Sequence, residues 1–207
     1  MTLIAWGLTT TARVKSRLDI ASGTTTWDTL FERLIASATD KIERLAGGRR
    51  FLSTTYTNEV YSGGDGQQTM ITLRHFPVTA LSAVSYRAGT PDTPAWTAFG
   101  ASEYELLNDK EPRRVRIYNA VYKGQNNIRV TYTAGYKIDF TDETTIANHT
   151  LPFDVEDLCQ RIVAWEWKRR DAEGKTNEAG AEASVSWREI LTEDDKELLR
   201  RLNPTSF

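Results

Sequence analysis

A chain of 207 residues with 40% hydrophobic and 26% charged side chains can form one large domain or two small ones, and it is too apolar for wholesale disorder. Its formal net charge of −2 argues against a dedicated nucleic-acid binder, which is usually clearly basic. The single cysteine, Cys159, excludes an internal disulfide, and no stretch approaches the roughly 18–20 apolar residues that span a bilayer. Met1 to Leu8 is apolar but short and lacks a basic region or a cleavage site, so a soluble intracellular protein is expected.

In chain order, Thr10 or Thr11 is placed to cap a short helix carrying Val14 and Leu18, and Ser22-Gly23 breaks it. Thr25 or Thr26 is expected to cap a second helix with Asp28 in its first turn. Leu30, Phe31, Leu34, Ile35, Ala38, Ile42 and Leu45 recur there at helical spacing, and Gly47-Gly48 supplies the stop. The texture then changes. Thr54 to Tyr61 and Thr69 to Leu73 alternate around Gly63-Gly64-Asp65-Gly66, a hairpin signal. Leu81 to Tyr86, Glu103 to Leu107, Val115 to Tyr118 and Ile128 to Tyr132 bring the count to about six strands, at spacings suited to an antiparallel sheet. Asp139 to Thr150 is a polar connection.

A helix from Phe153 or Asp154 is expected to bury Val155, Leu158, Ile162 and Trp165, leaving Trp167 off that face. Asp171 to Ala183 has the composition of a mobile linker. Ser184 to Trp187 alternates but is too short to fold alone, and Thr192 caps a last helix with Leu198, Leu199 and Leu202. Helices bracketing a β-rich middle predict an α+β fold: a helical bundle of the N-terminal helix pair plus C-terminal helices, with an inserted antiparallel β-sheet domain. The expected divisions are residues 1–50, 51–137, 138–152, 153–171 and 172–207.

No catalytic constellation emerges. His75 and His149 lie neither at metal-ligand spacing nor beside Cys159 or a fitting carboxylate, so no metal or cofactor is expected. Gly63-Gly64-Asp65-Gly66 is followed by a strand, which is wrong for a phosphate loop, and Asp65 is too lone a carboxylate for calcium. Cys159 reads as a buried inert thiol. The basic groups Arg49-Arg50, Arg113-Arg114 with Arg116, Lys168-Arg169-Arg170 and Arg200-Arg201 read as solvated helix ends and strand edges, with phosphate contact in a non-specific channel as the other reading. An enzyme using Asp139, Asp142 and Glu143, or a DNA-binding regulator without a helix-turn-helix signature, is the weaker alternative. The six tryptophans are more informative, and Trp187, beyond the linker, points to an inter-chain contact.

The order of parts resembles the head–tail connector (adaptor, or head-completion) proteins of tailed bacteriophages. The resemblance rests on Leu30-Phe31-Glu32-Arg33-Leu34-Ile35 and Ile42-Glu43-Arg44 in the N-terminal helices, then Arg49-Arg50-Phe51, then Leu73-Arg74-His75-Phe76-Pro77-Val78 into Val84-Ser85-Tyr86. It continues through Arg129-Val130-Thr131-Tyr132-Thr133-Ala134-Gly135-Tyr136, Leu151-Pro152, Trp167-Lys168-Arg169-Arg170 and Ala183-Ser184-Val185-Ser186-Trp187. The Thr-rich loop and the Asp92 to Gly100 insertion depart from compact members.

The resemblance implies a non-enzymatic homo-oligomeric ring, usually a dodecamer, docked beneath the portal protein in the virion neck. Such a ring extends the channel for genomic DNA and offers a platform to stopper or tail-completion proteins; a stopper or tail-completion role is the alternative. It further implies portal or partner contacts by Val185, Trp187, Ile190, Leu198, Leu199 and Leu202, and inter-subunit contacts by Trp167, Lys168, Arg169 and Arg170.

Overall fold

The computed structural model describes residues 7–63, 70–89, 94–108, 112–118, 124–138, 149–170, 177–179, 184–186 and 192–202. It is an α+β fold that divides into two compact units. One combines Met1–Leu52 with Lys137–Phe207; the other is Ser53–Tyr136.

The first unit is mainly helical. Helix α1 (Thr11–Arg17) starts where the Thr10 hydroxyl accepts the Arg13 amide at 3.2 Å. Helix α2 (Asp28–Leu45) buries Phe31, Ile35, Ala38 and Ile42, the stripe its spacing predicts. Its N-cap is Trp27, with no side-chain cap, in place of the expected threonine. The Asp28 amide goes to the Thr25 carbonyl at 3.1 Å, and the Phe31 amide to the Trp27 carbonyl at 2.9 Å. A backbone turn thus does the work that a threonine hydroxyl was expected to do. Helix α3 (Phe153–Arg169) buries Val155, Leu158, Cys159, Ile162 and Val163. Burial pushes the Cys159 thiol up to about 12, which keeps it protonated and unreactive.

Helix α2 stops at Gly47 and Gly48, with φ of 75° and 78°, and the Gly48 amide returns to the Glu43 carbonyl at 2.8 Å. A Cβ on Gly48 or on Gly23 would meet no atom within 4 Å, but only Gly48 sits in the left-handed region. Gly48→Ala is therefore expected to cost about 1–2 kcal/mol from backbone strain alone, and Gly23→Ala to be neutral or slightly stabilising. Paired thermal melts check this; equal melting temperatures would overturn it.

Among the described residues the second unit holds seven strands in two antiparallel sheets. In the four-stranded sheet the order is β1 (Thr54–Tyr61), β7 (Ile128–Ala134), β3 (Val78–Gly89), β4 (Pro94–Ala98). In the three-stranded sheet it is β2 (Met70–Thr72), β6 (Arg114–Ile117), β5 (Tyr104–Leu106). The expected hairpin between the first two strands does not form: β1 pairs with β7, and β2 with β6. Residues 64–69, which carry most of the supposed turn, lie outside the described residues. Strand β4, from the segment read as an insertion, was not expected.

Strand β7 alternates strictly, with Ile128, Val130, Tyr132 and Ala134 buried and Arg129, Thr131 and Thr133 on the other face. The buried set joins Tyr61, Ile71, Val84, Phe99, Val115 and Ile117 in one core between the sheets. The other face of the four-stranded sheet carries Thr55, hydrogen-bonded to Thr133 at 3.0 Å, and Thr131, which accepts the Asn58 amide at 3.0 Å. A bulge between Tyr56 and Glu59, with Asn58 at φ 55°, interrupts the ladder of β1. Separately, β8 (Asn177–Ala179) and β9 (Ser184–Ser186) form a two-stranded antiparallel ladder in the stretch read from sequence as linker and isolated strand.

Candidate assembly surfaces

In the helical unit, the C-terminal turn of α3 gathers the residues expected to meet a neighbouring subunit. Lys168 and Arg169 suit a helix C-terminus, where unsatisfied carbonyls leave partial negative charge. The Trp167 ring packs on Phe31 at 4.6 Å between centroids and meets Trp27 edge-on at 5.3 Å. The Arg170 guanidinium lies 3.5 Å from the Trp167 centroid and 4.8 Å from that of Trp27. Arg169 covers Trp165 at 4.3 Å, and Lys168 is exposed.

Trp165 is therefore only half-buried, and Trp167 is the ring that reaches the packed side of the helix. The signal that would have found it is the row Cys159, Val163, Trp167 at spacings of four, which continues the buried stripe. The outcome is an aromatic edge, with Trp27 still 39% exposed, closed by cations. Large rigid apolar area beside arginine is the composition of an interface anchor.

Helix α4 (Glu193–Arg201) is held in the same unit by polar contacts at both ends. Thr192 and Asp195 form a reciprocal cap: the Asp195 amide donates to the Thr192 hydroxyl at 3.2 Å, and the Thr192 amide to the Asp195 carboxylate at 2.9 Å. Arg161 of α3 engages both oxygens of Asp195, Nη1 at 3.2 Å. Burial opposes the charge on Asp195, but Arg161 and the Thr192 donors outweigh it and hold the carboxyl below its usual range.

At the other end, Arg49 donates to the Leu202 carbonyl at 3.2 Å and lies over Phe51 at 5.2 Å. Arg49 is 2% exposed, so it is a buried latch and not the solvated helix end that the sequence suggested. Of the residues expected to bind a partner, Leu199 is 1% exposed and packed in its own chain, while Leu198 and Leu202 are half-buried. Val185 lies on β9, whose side chains are not described, and Trp187 and Ile190 lie outside the described residues, as do Asp139, Asp142 and Glu143.

Both histidines meet a carboxylate, which sequence spacing did not reveal. His149 Nε2 lies 3.5 Å from Glu156, itself buried and accepting from Arg13 at 2.8 Å and Thr9 at 3.1 Å. His75 Nε2 lies 3.7 Å from Glu59 and stacks on Tyr56 at 3.8 Å. Glu59 accepts the hydroxyls of Tyr61 and Tyr132, each at 2.5 Å, and Arg74 at 3.0 Å. Carboxylates so fully engaged brace the fold. Among the described residues no group of three or more His, Cys, Asp and Glu side chains is arranged to hold a metal ion, and no helix is long and apolar enough to cross a membrane.

No protein family and no curated protein matches the sequence. Among solved structures, the fold is similar to a chain from the neck of an empty GTA particle computed with C6 symmetry, at 18% identity and a TM-score of 0.55. The likeness covers 91% of this chain and 87% of that one.

Proposed function

We propose that this protein is a structural head–tail adaptor of a tailed phage or phage-like particle, forming a ring beneath the portal protein. The ring extends the DNA channel and gives stopper or tail-completion proteins their attachment platform. The observation that carries this reading is the likeness of fold, over nearly the whole of both chains, to a chain from a particle neck. The sixfold symmetry of that neck supports a closed ring of identical subunits, and a dodecamer satisfies it.

In this ring the helical unit forms the body, with Trp167, Lys168, Arg169 and Arg170 at the subunit boundary. Trp27 belongs with them, because Arg170 bridges both indoles. Val185, Trp187, Ile190, Leu198 and Leu202 form the portal-facing group; Leu199 already belongs to the interior of its own unit. Many identical weak contacts around a ring then act together, so modest docking by each copy suffices. The near-neutral charge suits a conduit, since strong phosphate binding would stall passing DNA.

Light scattering of the protein alone and with its cognate portal tests the reading. A ring-sized mass increment on the portal is expected. A protein that ignores the portal but adds to an assembled portal–adaptor complex would instead be a stopper.

A further inference from the structure

We infer that the four-stranded sheet carries a binding site for an acidic segment of a partner protein, centred on Arg129. A hollow of about 520 Å³ opens there, lined by Val60, Arg74, Arg87, Trp96, Asn126 and Arg129. Strand register brings four of them, Val60, Arg87, Trp96 and Arg129, together. Arg129 on β7 lies opposite Val60 on β1 and Ser85 on β3, and Arg87, two residues on from Ser85, lies opposite Trp96 on β4. Side chains two residues apart share a face, so one surface gathers Arg87, Arg129 and the indole.

Among the described lining residues three are arginines and none is acidic. Arg74 is held by Glu59 at 3.0 Å and by the Val60 carbonyl at 3.1 Å, which fixes its position at the rim. Arg129 differs: its guanidinium stacks on Trp96 at 3.8 Å, and its Nε is buried with no hydrogen-bond partner among the described residues.

A buried donor without an acceptor costs free energy, and a carboxylate beside the stacked guanidinium removes that cost through a side-on bidentate pair. The indole keeps the fork planar and oriented before the ligand arrives, which lowers the entropy lost on binding. The rest of the face favours polypeptide over nucleic acid. Among the described residues it offers Thr55, Thr131, Thr133 and Ser85, short hydroxyl side chains suited to an extended peptide, and no continuing basic track for successive phosphates. This inference does not depend on the neck reading, because it rests on the β unit alone.

The test is arginine Nε–H NMR of the full chain, titrated with a blocked hexaglutamate peptide. A saturable shift of the Arg129 resonance is expected. Arg87→Gln and Trp96→Phe should each weaken it about tenfold, and Arg129→Lys, followed by the backbone amide shifts of β7 and β4, should not bind, because an ammonium lacks the planar fork. Backbone amide spectra report whether each variant is folded, and Trp96→Phe, which keeps a ring on β4, stands in for any variant that is not. Absence of a saturable shift at millimolar peptide would overturn the proposal. So would a short DNA duplex that binds at Arg129 more tightly than the peptide, since the occupant would then be a phosphate backbone. Loss of peptide binding would leave the portal mass increment untouched, so the two readings fail separately.

Discussion

Phe31→Ala is expected to destabilise the helical unit by about 3–5 kcal/mol, the usual cost of emptying a buried phenylalanine site. The residue is 0% exposed on α2 and carries the Trp167 ring against it at 4.6 Å. Removing it leaves a cavity under the indole, which closes only as far as the end of α3 can move toward α2. Trp167→Ala should cost less, about 1–3 kcal/mol, because the indole is only half-buried to begin with. Far-ultraviolet circular dichroism during heating reads both. A fall of more than about 10 °C in Tm for Phe31→Ala, with a smaller one for Trp167→Ala, is the expected order. The reverse order would mean that Trp167, and not Phe31, is the centre of this packing. If Trp167 also lies at a subunit boundary, Trp167→Ala should reduce ring formation by more than its loss of monomer stability explains.

The second large effect concerns Glu59. Glu59→Ala is expected to cost the β unit about 3 kcal/mol, because two phenol hydroxyls and Arg74 lose their common acceptor at once. The same group sets a pH dependence. Burial opposes its charge, but the hydroxyls of Tyr132 and Tyr61, then Arg74 and His75, outweigh burial and hold the carboxyl below its ordinary 4.5. A depressed folded pKa means that the stabilisation is complete above about pH 4.5 and is lost as pH falls through the folded value. The tyrosines act at the opposite extreme. Burial, then the Glu59 carboxylate, pushes both hydroxyls well above 10, so their contribution is present below pH 10 and falls as pH rises beyond it. Urea titrations across pH should show the acid slope in the parent and a flatter one in Glu59→Ala. An unchanged slope would mean that another carboxylate governs acid stability.

What the sequence revealed was what is encoded locally. The bounds of β1, the start of β7 at Ile128, the stripe of α2 and the start of α4 at Thr192 follow from alternation, helical spacing and capping chemistry, all within a few residues. What it hid was what depends on distant partners. The pairing of β1 with β7 joins residues more than sixty apart, and nothing in Thr54 to Tyr61 names that partner over the nearer Thr69 to Leu73. Arg49 reads as a solvated cation until the carbonyl of Leu202 arrives from the far end of the chain. Glu59 acquires its meaning from Tyr132 and Arg74, and Arg129 from Trp96, each across strands. For the surfaces the division was the same. The basic and aromatic residues at the end of α3 could be singled out by composition, but which indole faces inward depended on how the stripe drifts along the helix.

The β unit begins and ends at one place: the Ser53 amide donates to the Tyr136 carbonyl at 2.9 Å. An insert of about 80 residues thus closes on itself and presents its ends as neighbouring strands would. Until it folds, it is a long loop that holds the two halves of the helical unit apart in the chain. Once folded, it becomes a short clasp, and the closure entropy opposing their meeting falls by about 3 kcal/mol. The order of events during synthesis follows from this. The module made in the middle can form as soon as its last strand is available, and in doing so it delivers α3 to a waiting α2. The same closed base makes the module exchangeable, since a tight turn or an unrelated domain with adjacent ends can take its place without lengthening the path between the helices.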